Sequence, residues 1–252
     1  MQRADILLTE KGYAQSRAHA QRLLKGGKVS IRSGNGWQVI TKPGVKLEPD
    51  TEFQVEVDEA DRFVSRGALK LLGALERTQL DVTDMIAIDV GQSTGGFSDC
   101  LVQSGIGKVV GIEVGHDQLA EKLRNDARVL CFEGVNGRDL PAEMLLTHSH
   151  PDGFDLAVMD VSFISQTKIL PSLIPLIRPG GHLISLVKPQ FEVGKAGVGS
   201  GGIVRDPSLY PKVEHTIKQH CEELGMEILD YFESPIKGGD GNREFLIVAR
   251  KR

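Results

Sequence analysis

The chain has 252 residues, which is enough for one standard domain and a small one, and its three cysteines lack C-x-x-C spacing. A disulfide framework and a zinc site are therefore not indicated, and we expect no metal. No apolar run reaches the length of a membrane span and the first residues do not resemble a signal peptide, so we expect a cytoplasmic protein without a membrane partner.

The net charge of −4 conceals an asymmetry along the chain. Residues 1–46 carry nine Lys and Arg against two acids, whereas the remaining 206 residues carry 21 basic and 32 acidic groups. A small basic segment ahead of an acidic one suits a protein that binds a polyanion with one module and does chemistry with another. Charge alone does not decide this, because surface charge also varies freely between domains.

The basic segment predicts two short helices, over residues 3–12 and 16–25, followed by strands over 29–31, 37–40 and 53–57. Ser16 is a suitable N-cap, and Gly26 and Gly27 end the second helix. Arg17, Gln21 and Lys25 recur every fourth residue on that helix, and Lys28 extends the stripe. A basic stripe is usually only a solvated helix face.

This arrangement, over about residues 3–57, closely resembles the S4 RNA-binding domain. The likeness is carried by Arg3-Ala4-Asp5 and by the run from Ser16 to Val29. The resemblance implies that this module contacts RNA through five basic side chains: Arg3, Arg17, Arg22, Lys25 and Lys28. We predict an S4-like α+β domain over residues 1–58, a charged linker over 59–63 and a second domain over 64–252.

From residue 63 onward strands and helices alternate, as in βαβ units. The predicted strands are 86–90, 109–112, 129–132, 156–159, 182–187, 226–232 and 244–249. The predicted helices are 64–77, 96–104, 118–125, 166–177 and 209–224. The last two strands form a hairpin, which fits the antiparallel last strand of the Rossmann-like, seven-stranded class I methyltransferase fold. A dehydrogenase would not be expected to end in this way.

The loop after the first of these strands, residues 89–97, is the best indication of a ligand. Its glycines do not fit G-x-G-x-x-G, and Phe97 stands where a P-loop has lysine, so a phosphate ligand is not indicated. A loop that binds through its backbone, with Asp89 available for a cation, suits S-adenosylmethionine. An ordinary strand-to-helix turn explains this segment alone equally well. The candidate cofactor-binding residues are Asp89, Gly91, Ser93, Gly95, Gly96 and Phe97, and Gly95 is expected to let the backbone approach the ligand.

Polar side chains also follow the next strands, where open α/β sheets place their sites. Glu113 is expected to bind the ribose of the cofactor, Asn136 to meet the adenine, and Asp160 to lie near the methionine end. Lys188 follows the fifth strand. Methyltransferases that act on exocyclic amines typically carry Asn or Asp at this place, whereas a partly buried lysine suits a hydroxyl acceptor.

The sequence as a whole resembles the TlyA (haemolysin A) family of ribosomal RNA 2′-O-methyltransferases, which join an S4 domain to an FtsJ-like domain. The likeness runs over nearly the whole chain and is carried by residues 64–70, 89–97, 160–165, 187–195 and 201–207. It implies S-adenosylmethionine as cofactor, rRNA or a ribosomal subunit as partner, and a Lys-Asp-Lys-Glu catalytic set of Lys70, Asp160, Lys188 and Glu244. Lys188 is the expected general base, and the two acids orient the lysines. Glu113 and Gln92 depart from the family pattern, which has Asp and a small residue. We expect Gln92 to be tolerated, because the loop binds through its backbone.

The alternatives are a membrane-active cytolysin, an RNA-binding protein with an inactive methyltransferase domain, and a small-molecule O-methyltransferase. The family's short members methylate cytidines of 23S rRNA, which we expect here. The glycine-rich segment 194–202 is either a lid or a flexible loop, and the sequence does not decide the oligomeric state.

Overall fold

The computed structural model describes residues 1–14, 16–56 and 59–252, apart from the side chains of residues 59 and 60. The chain divides into two compact units, Met1–Arg62 and Phe63–Arg252. Val57 and Asp58, which end the predicted S4-like segment, lie outside the described residues. Among the helices of the described chain, none is long and apolar enough to cross a membrane.

The first unit is built from two helices and short strands, as the sequence predicts. In chain order it contains β1 (Gln2–Arg3), α1 (Ala4–Glu10), α2 (Arg17–Lys25), β2 (Val29–Ser33), β3 (Gly36–Val39), β4 (Lys46–Leu47), β5 (Phe53–Val55) and a 3-10 turn over Glu59–Arg62. Ser16 caps α2 by accepting a hydrogen bond from the backbone of His19 at 3.2 Å. The apolar faces of both helices meet β2 and β5 in one small core.

The second unit contains a seven-stranded sheet within the described residues 63–252, in the order β11-β12-β10-β9-β6-β7-β8. The strands are β6 (Ile86–Val90), β7 (Lys108–Glu113), β8 (Val129–Glu133), β9 (Phe154–Met159), β10 (Ile177–Val187), β11 (Met226–Glu233) and β12 (Phe245–Lys251). β12 runs antiparallel to both neighbours, and the strands from β10 to β8 run parallel. This is the predicted methyltransferase sheet with an antiparallel last strand.

Helices cover both faces of this sheet, and an apolar core lies on each face. They are α3 (Ala68–Thr78), α4 (Gly96–Gln103), α5 (Glu121–Arg124), α6 (Ala142–Leu146), α7 (Leu170–Leu173), α8 (Pro189–Glu192) and α9 (Leu209–Glu223). Because parallel strands end at the same edge, the loops after β6, β7, β8, β9 and β10 lie together there.

One predicted helix, over residues 166–177, is wrong. Only α7 is α-helical, and 3-10 turns flank it, because Pro171 and Pro175 donate no backbone hydrogen bond. Ile177 already belongs to β10. Lys251 stabilises the interrupted segment, since its Nζ atom donates to the carbonyl oxygens of Ile174, Pro175 and Ile177 at 3.1, 3.3 and 2.5 Å.

Candidate active site

The glycine-rich loop leaves β6 with left-handed backbone at three positions, Gly91, Ser93 and Gly95. A Cβ atom on Gly91 would lie 2.6 Å from the carbonyl oxygen of Asp160, so only glycine lets the ends of β6 and β9 come this close. Gly91 also donates to the carbonyl of Ile112 at 2.9 Å, which joins the loop to β7.

Gly95 has a reason for being glycine that differs from the expected one. A Cβ atom at this position would lie 2.3 Å from Leu123 and 2.8 Å from Leu119, and the φ angle is +94°. Packing and conformation therefore already require glycine here, and contact between Gly95 and a cofactor stays a prediction. Gly96 and Phe97, by contrast, line a cavity of about 370 Å³ that we call the junction cavity.

A second cavity of about 620 Å³, the cofactor cavity, lies at the ends of β6, β7 and β9. Gly91, Ser93, Glu113, Asn136 and Asp160 line it. Its volume is that of a typical small-molecule site, and the carboxylates of Glu113 and Asp160 in its lining suit a ligand that carries positive charge. The residues present therefore fit S-adenosylmethionine, a sulfonium compound with an amino group.

Glu113 holds the glycine-rich loop in the conformation that shapes the cofactor cavity. Its Oε2 atom accepts a hydrogen bond from the backbone of Ser93, and its Oε1 atom accepts one from Gly115, both at 2.8 Å. Each carboxylate oxygen keeps a lone pair for another donor, so a role in binding ribose is compatible with these bonds. Asn136 accepts a bond from the backbone of Arg138 at 3.0 Å, which fixes its side chain in a turn.

Asp89 lies beneath the loop and is fully buried. Its Oδ2 atom accepts a 2.7 Å hydrogen bond from Ser98, while Oδ1 has no hydrogen-bond partner among the described residues. Burial raises the pKa of Asp89 to about 7, and Asp160 and Glu113 add to the effect. Gln92, expected to be merely tolerated, is also buried: it donates to Ser98 at 2.7 Å and fills the space left by Gly111.

The raised pKa of Asp89 predicts that stability falls as pH rises. The folded carboxyl keeps its proton up to about pH 7, whereas the unfolded one loses it near its ordinary pKa of 3.8, so the folded state binds more protons between these limits. We expect about 3 kcal/mol of stability to be lost between pH 5 and pH 8, because each of the roughly two pH units below the folded pKa changes the stability by about 1.4 kcal/mol. Urea unfolding followed by circular dichroism should show this loss in the parent and not in Asp89→Asn. Parallel pH profiles for the two proteins would contradict it.

The four candidate catalytic residues form two ion pairs. Lys70, on α3, lies 2.6 Å from Glu244, measured from Nζ to Oε2, and both side chains are buried. Lys188 follows β10, and its Nζ atom lies 2.5 Å from Oδ1 of Asp160 and donates to Ser162 at 2.9 Å. Each lysine thus lies beside one carboxylate that orients it and offsets its charge.

Shared lining residues connect the two ion pairs to the cofactor cavity. Asp160 and Ser162 line both the cofactor cavity and the junction cavity. Lys70 and Lys188 line the junction cavity and a further space of about 260 Å³, the lysine cavity, which Glu244 also borders. The four candidate catalytic residues and most of the candidate cofactor-binding residues therefore surround connected cavities at the carboxyl edge of the sheet, whereas Asp89 and Gly95 line none of these cavities.

Phe163 is a site residue that sequence reasoning missed. Its ring is 91% exposed, its φ is +64°, and it packs against Phe191 with ring centroids 5.2 Å apart. Phe163 borders the lysine and cofactor cavities, and Gln190 borders the lysine cavity. A feature of the sequence could have identified it: within Asp160–Ser165, directly after a strand, an aromatic residue stands among polar ones.

In the first unit, part of the predicted RNA-binding charge is engaged within the unit. Arg3 and Arg17 each form an ion pair of 2.9 Å with the buried Asp5, and these contacts lower the pKa of that carboxyl. Arg22 pairs with Asp61. The three arginine side chains remain about half exposed or more, and Lys25 is exposed. Three of the basic side chains predicted to contact RNA therefore also form ion pairs within the first unit.

Comparison with known proteins identifies the family. The sequence profile of the FtsJ-like methyltransferases matches residues 63–251, and that of the S4 domain matches residues 2–53. The chain is 39% identical over 248 residues to the 16S/23S rRNA (cytidine-2'-O)-methyltransferase TlyA of Mycobacterium tuberculosis, covering 98% of this chain and 89% of that protein. The chain belongs to the TlyA family.

Two further proteins are similar to most of this chain. The 23S rRNA (cytidine-2'-O)-methyltransferase TlyA of Campylobacter jejuni is 33% identical over 212 residues, which cover 84% of this chain and 76% of that protein. A solved hemolysin homologue from Streptococcus thermophilus is 39% identical, with a TM-score of 0.73, over 99% of this chain and 88% of that one. As a TlyA-family protein, the chain is an S-adenosylmethionine-dependent methyltransferase with an RNA-binding S4 domain.

Proposed function

We propose that this protein transfers a methyl group from S-adenosylmethionine to the ribose 2′-hydroxyl of a cytidine in ribosomal RNA, and that the substrate is 23S rRNA. The observation that carries the proposal is the pair of lysine–carboxylate contacts facing one cavity beside the cofactor cavity. Two relatives bear the name of rRNA cytidine-2'-O-methyltransferases, and the name of one specifies 23S alone. Lysine at this position suits an alcohol acceptor.

We assign the domains as residues 1–58 for RNA binding, 59–63 for the linker and 64–252 for catalysis. The division of the chain between Arg62 and Phe63 falls inside the proposed linker, and the two family profiles match residues on either side of it, which supports the two-domain assignment. In this assignment the S4 domain supplies affinity for rRNA, and the second domain supplies the reaction.

In the proposed mechanism Lys188 accepts the proton of the 2′-hydroxyl through Nζ, as general base. When bound, S-adenosylmethionine supplies an electrophilic methyl group. Asp160 and Ser162 hold Nζ of Lys188 at the boundary between the junction and lysine cavities. Lys70, fixed by Glu244, adds a positive charge that stabilises the developing alkoxide. The exposed ring of Phe163 offers a face on which the target base stacks.

Glu113, Asn136 and the loop 89–97 hold the cofactor in this assignment. Glu113 already fixes the loop through Ser93, and the buried Asp89 and Ser98 support it from below. Positioning therefore accounts for most of the rate enhancement in this mechanism, because a hydroxyl held next to a methyl donor reacts as fast as two groups of one molecule would.

Incubation with radiolabelled S-adenosylmethionine tests the proposal. The substrates are protein-free 23S rRNA, protein-free 16S rRNA, both ribosomal subunits and no RNA. Label that appears in 23S rRNA or the large subunit, and that mass spectrometry locates on the ribose of a cytidine, is the expected result. Label on a base would contradict the 2′-O assignment, and label on 16S rRNA as well would contradict the restriction to 23S.

The S4 domain provides a separate prediction about RNA affinity. Lys25 and Lys28 extend the basic face without holding Asp5, so replacing both by Gln removes charge while keeping the Arg3 and Arg17 contacts. We expect weaker rRNA binding and a log–log salt dependence that is less steep by about one unit per lost phosphate contact. Filter binding across a salt titration measures this. S-adenosylmethionine affinity, measured by calorimetry, should stay parental, and unchanged RNA binding would show that the face is only solvated.

A further inference from the structure

Glu192 is a half-buried carboxylate that has no role in the mechanism above. It ends α8, the short helix that begins directly after Lys188. Its Oε2 atom accepts a hydrogen bond from Oγ of Ser165 at 2.5 Å, and its Oε1 atom accepts one from the backbone of Gln166 at 2.9 Å. Because hydrogen bonds to an ionised group are stronger than those between neutral groups, these two contacts fasten α8 to the end of the loop 160–165.

The loop 160–165 supplies both partners of Lys188. The Oδ1 atom of Asp160 lies 2.5 Å from Nζ of this lysine, and Oγ of Ser162 accepts a hydrogen bond from it at 2.9 Å. The backbone of Asp160 donates to the last residue of β6 at 3.1 Å, which holds the loop at its start. Glu192 holds its other end. The position of the lysine ammonium group therefore depends on contacts at both ends of this loop.

Phe163, in the middle of the loop, has a strained backbone. Its φ of +64° lies in the left-handed region, which costs free energy for a residue with a bulky side chain. Such a conformation persists only where the surrounding structure fixes it. The ring of Phe163 packs against Phe191, and the bonds to Glu192 fix the two residues that follow the loop's strained centre at Ser165 and Gln166. Both sets of contacts come from α8, so this helix determines the conformation of the loop.

Gln166 is also anchored in the sheet. Its buried side chain accepts a hydrogen bond from Oγ of Ser185 at 2.8 Å, and Ser185 lies in β10, three residues before Lys188. The strand before Lys188 and the helix after it thus both contact Gln166. We call Ser165, Gln166, Ser185 and Glu192 the Glu192 clasp. It fixes the chain on both sides of Lys188 to the end of the loop that carries the lysine's partners.

We infer that Glu192 is a positioning residue for methyl transfer, which keeps Asp160 and Ser162 in contact with Nζ of Lys188 through the Glu192 clasp. This inference rests on the proposed function and adds a residue outside the Lys-Asp-Lys-Glu set. Glu192 lines none of the junction, cofactor and lysine cavities, so it acts through its neighbours. A displacement of about 1 Å at the reacting groups lowers a rate by about 10²-fold, and this is the size of effect expected from its loss.

The test compares Glu192→Ala with Glu192→Gln. Alanine removes both contacts, whereas glutamine keeps an oxygen that accepts from Gln166 and gains an N–H group that donates to Ser165. The control is Glu222→Ala, the same exchange at an exposed position of α9. In single turnover at saturating rRNA and cofactor, we expect Glu192→Ala to methylate about 10²-fold more slowly than the parent. Glu192→Gln and Glu222→Ala should stay within a few-fold of it.

Two further measurements separate positioning from binding and from stability. S-adenosylmethionine affinity by calorimetry and rRNA affinity by filter binding should stay within a few-fold of parental in Glu192→Ala, so that the loss falls on kcat and not on KM. Hydrogen exchange of residues 160–166, followed by mass spectrometry, should be faster in Glu192→Ala and parental in Glu192→Gln. Ser165→Ala removes one contact of the clasp from the loop side. It should slow methylation by about tenfold, the contribution of one hydrogen bond to a charged group, even if Glu192→Ala folds poorly.

Parental methylation by Glu192→Ala, or by Ser165→Ala if the former does not fold, would overturn the inference. So would a Glu192→Gln protein as slow as Glu192→Ala, since charge and not contact would then be decisive. A rate that falls only in proportion to the folded fraction would assign Glu192 a purely structural role. Failure of the proposed function looks different, because the parent itself would then methylate no rRNA. In that case, parental hydrogen exchange of residues 160–166 in Glu192→Ala would still overturn the clasp.

Discussion

Lys188→Arg is expected to lower the single-turnover rate of rRNA methylation by about 10²-fold or more, the usual contribution of a general base. Arginine keeps the positive charge beside Asp160, but its guanidinium stays protonated at any working pH and cannot accept the proton of a hydroxyl. S-adenosylmethionine affinity should change little, because the proposed cofactor contacts come from the loop 89–97, Glu113 and Asn136. Calorimetry and rapid-quench methylation measure the two quantities separately.

Lys188→Ala completes this comparison, because it removes both the charge and the base and leaves Asp160 without its ion pair. We expect a rate at or below that of Lys188→Arg. Lys212→Arg, the same exchange away from the site, should keep the parental rate. If Lys188→Arg methylates rRNA near the parental rate, Lys188 acts through its charge on the 2′-oxygen, and proton removal belongs to water or to another residue.

The strands and the sheet of the methyltransferase unit were predictable because they rest on local features. Runs of β-branched and apolar residues indicate buried parallel strands, and a polar residue after each run marks the edge where sites form. The helix predicted over 166–177 shows the limit. Its apolar spacing is helical, but Pro171 and Pro175 interrupt the hydrogen bonding, and the cost is offset by Lys251, from a distant strand.

The pairing of side chains within the site is not a local property. Lys70 and Glu244 are separated by 174 positions in the chain, and only the antiparallel placement of β12 brings them together. The same holds for Arg3 and Arg17, whose charges predict an RNA-binding face while their partner Asp5 is buried between them. The residue types in a sequence indicate which chemical groups are available. Which other side chain each group contacts depends on the tertiary fold.

The role of Gln92 could be predicted from the sequence only in part. As a departure from the family pattern it is expected to be tolerated, because the loop binds through its backbone. In the structure its amide fills the space above Gly111, where a Cβ atom would lie 2.0 Å from it, and hydrogen-bonds Ser98. The two positions complement each other in volume, and such a relation becomes visible only when both are placed in space.

The Lys70–Glu244 pair is expected to stabilise the fold as well as serve the reaction. Both side chains are buried, so Lys70→Met leaves an uncompensated carboxylate and Glu244→Gln an uncompensated ammonium. Each single change should lower the free energy of unfolding by about 3–5 kcal/mol, the cost of breaking a buried ion pair on one side. Denaturant unfolding followed by circular dichroism measures these losses.

The double variant Lys70→Met with Glu244→Leu separates the structural contribution of the pair from its contribution to the reaction. Apolar residues of similar volume leave no buried charge, so the double variant should recover most of the stability that either single change loses. Methylation should not recover, since the cation proposed to face the 2′-oxygen is absent from the lysine cavity. We expect a double variant that binds S-adenosylmethionine, unfolds near the parental denaturant concentration and methylates rRNA at least about 10²-fold more slowly, the loss typical for one oxyanion-stabilising group. Methylation that returned with stability would show that the Lys70–Glu244 pair is structural, and would leave Lys188 and Asp160 as the catalytic groups.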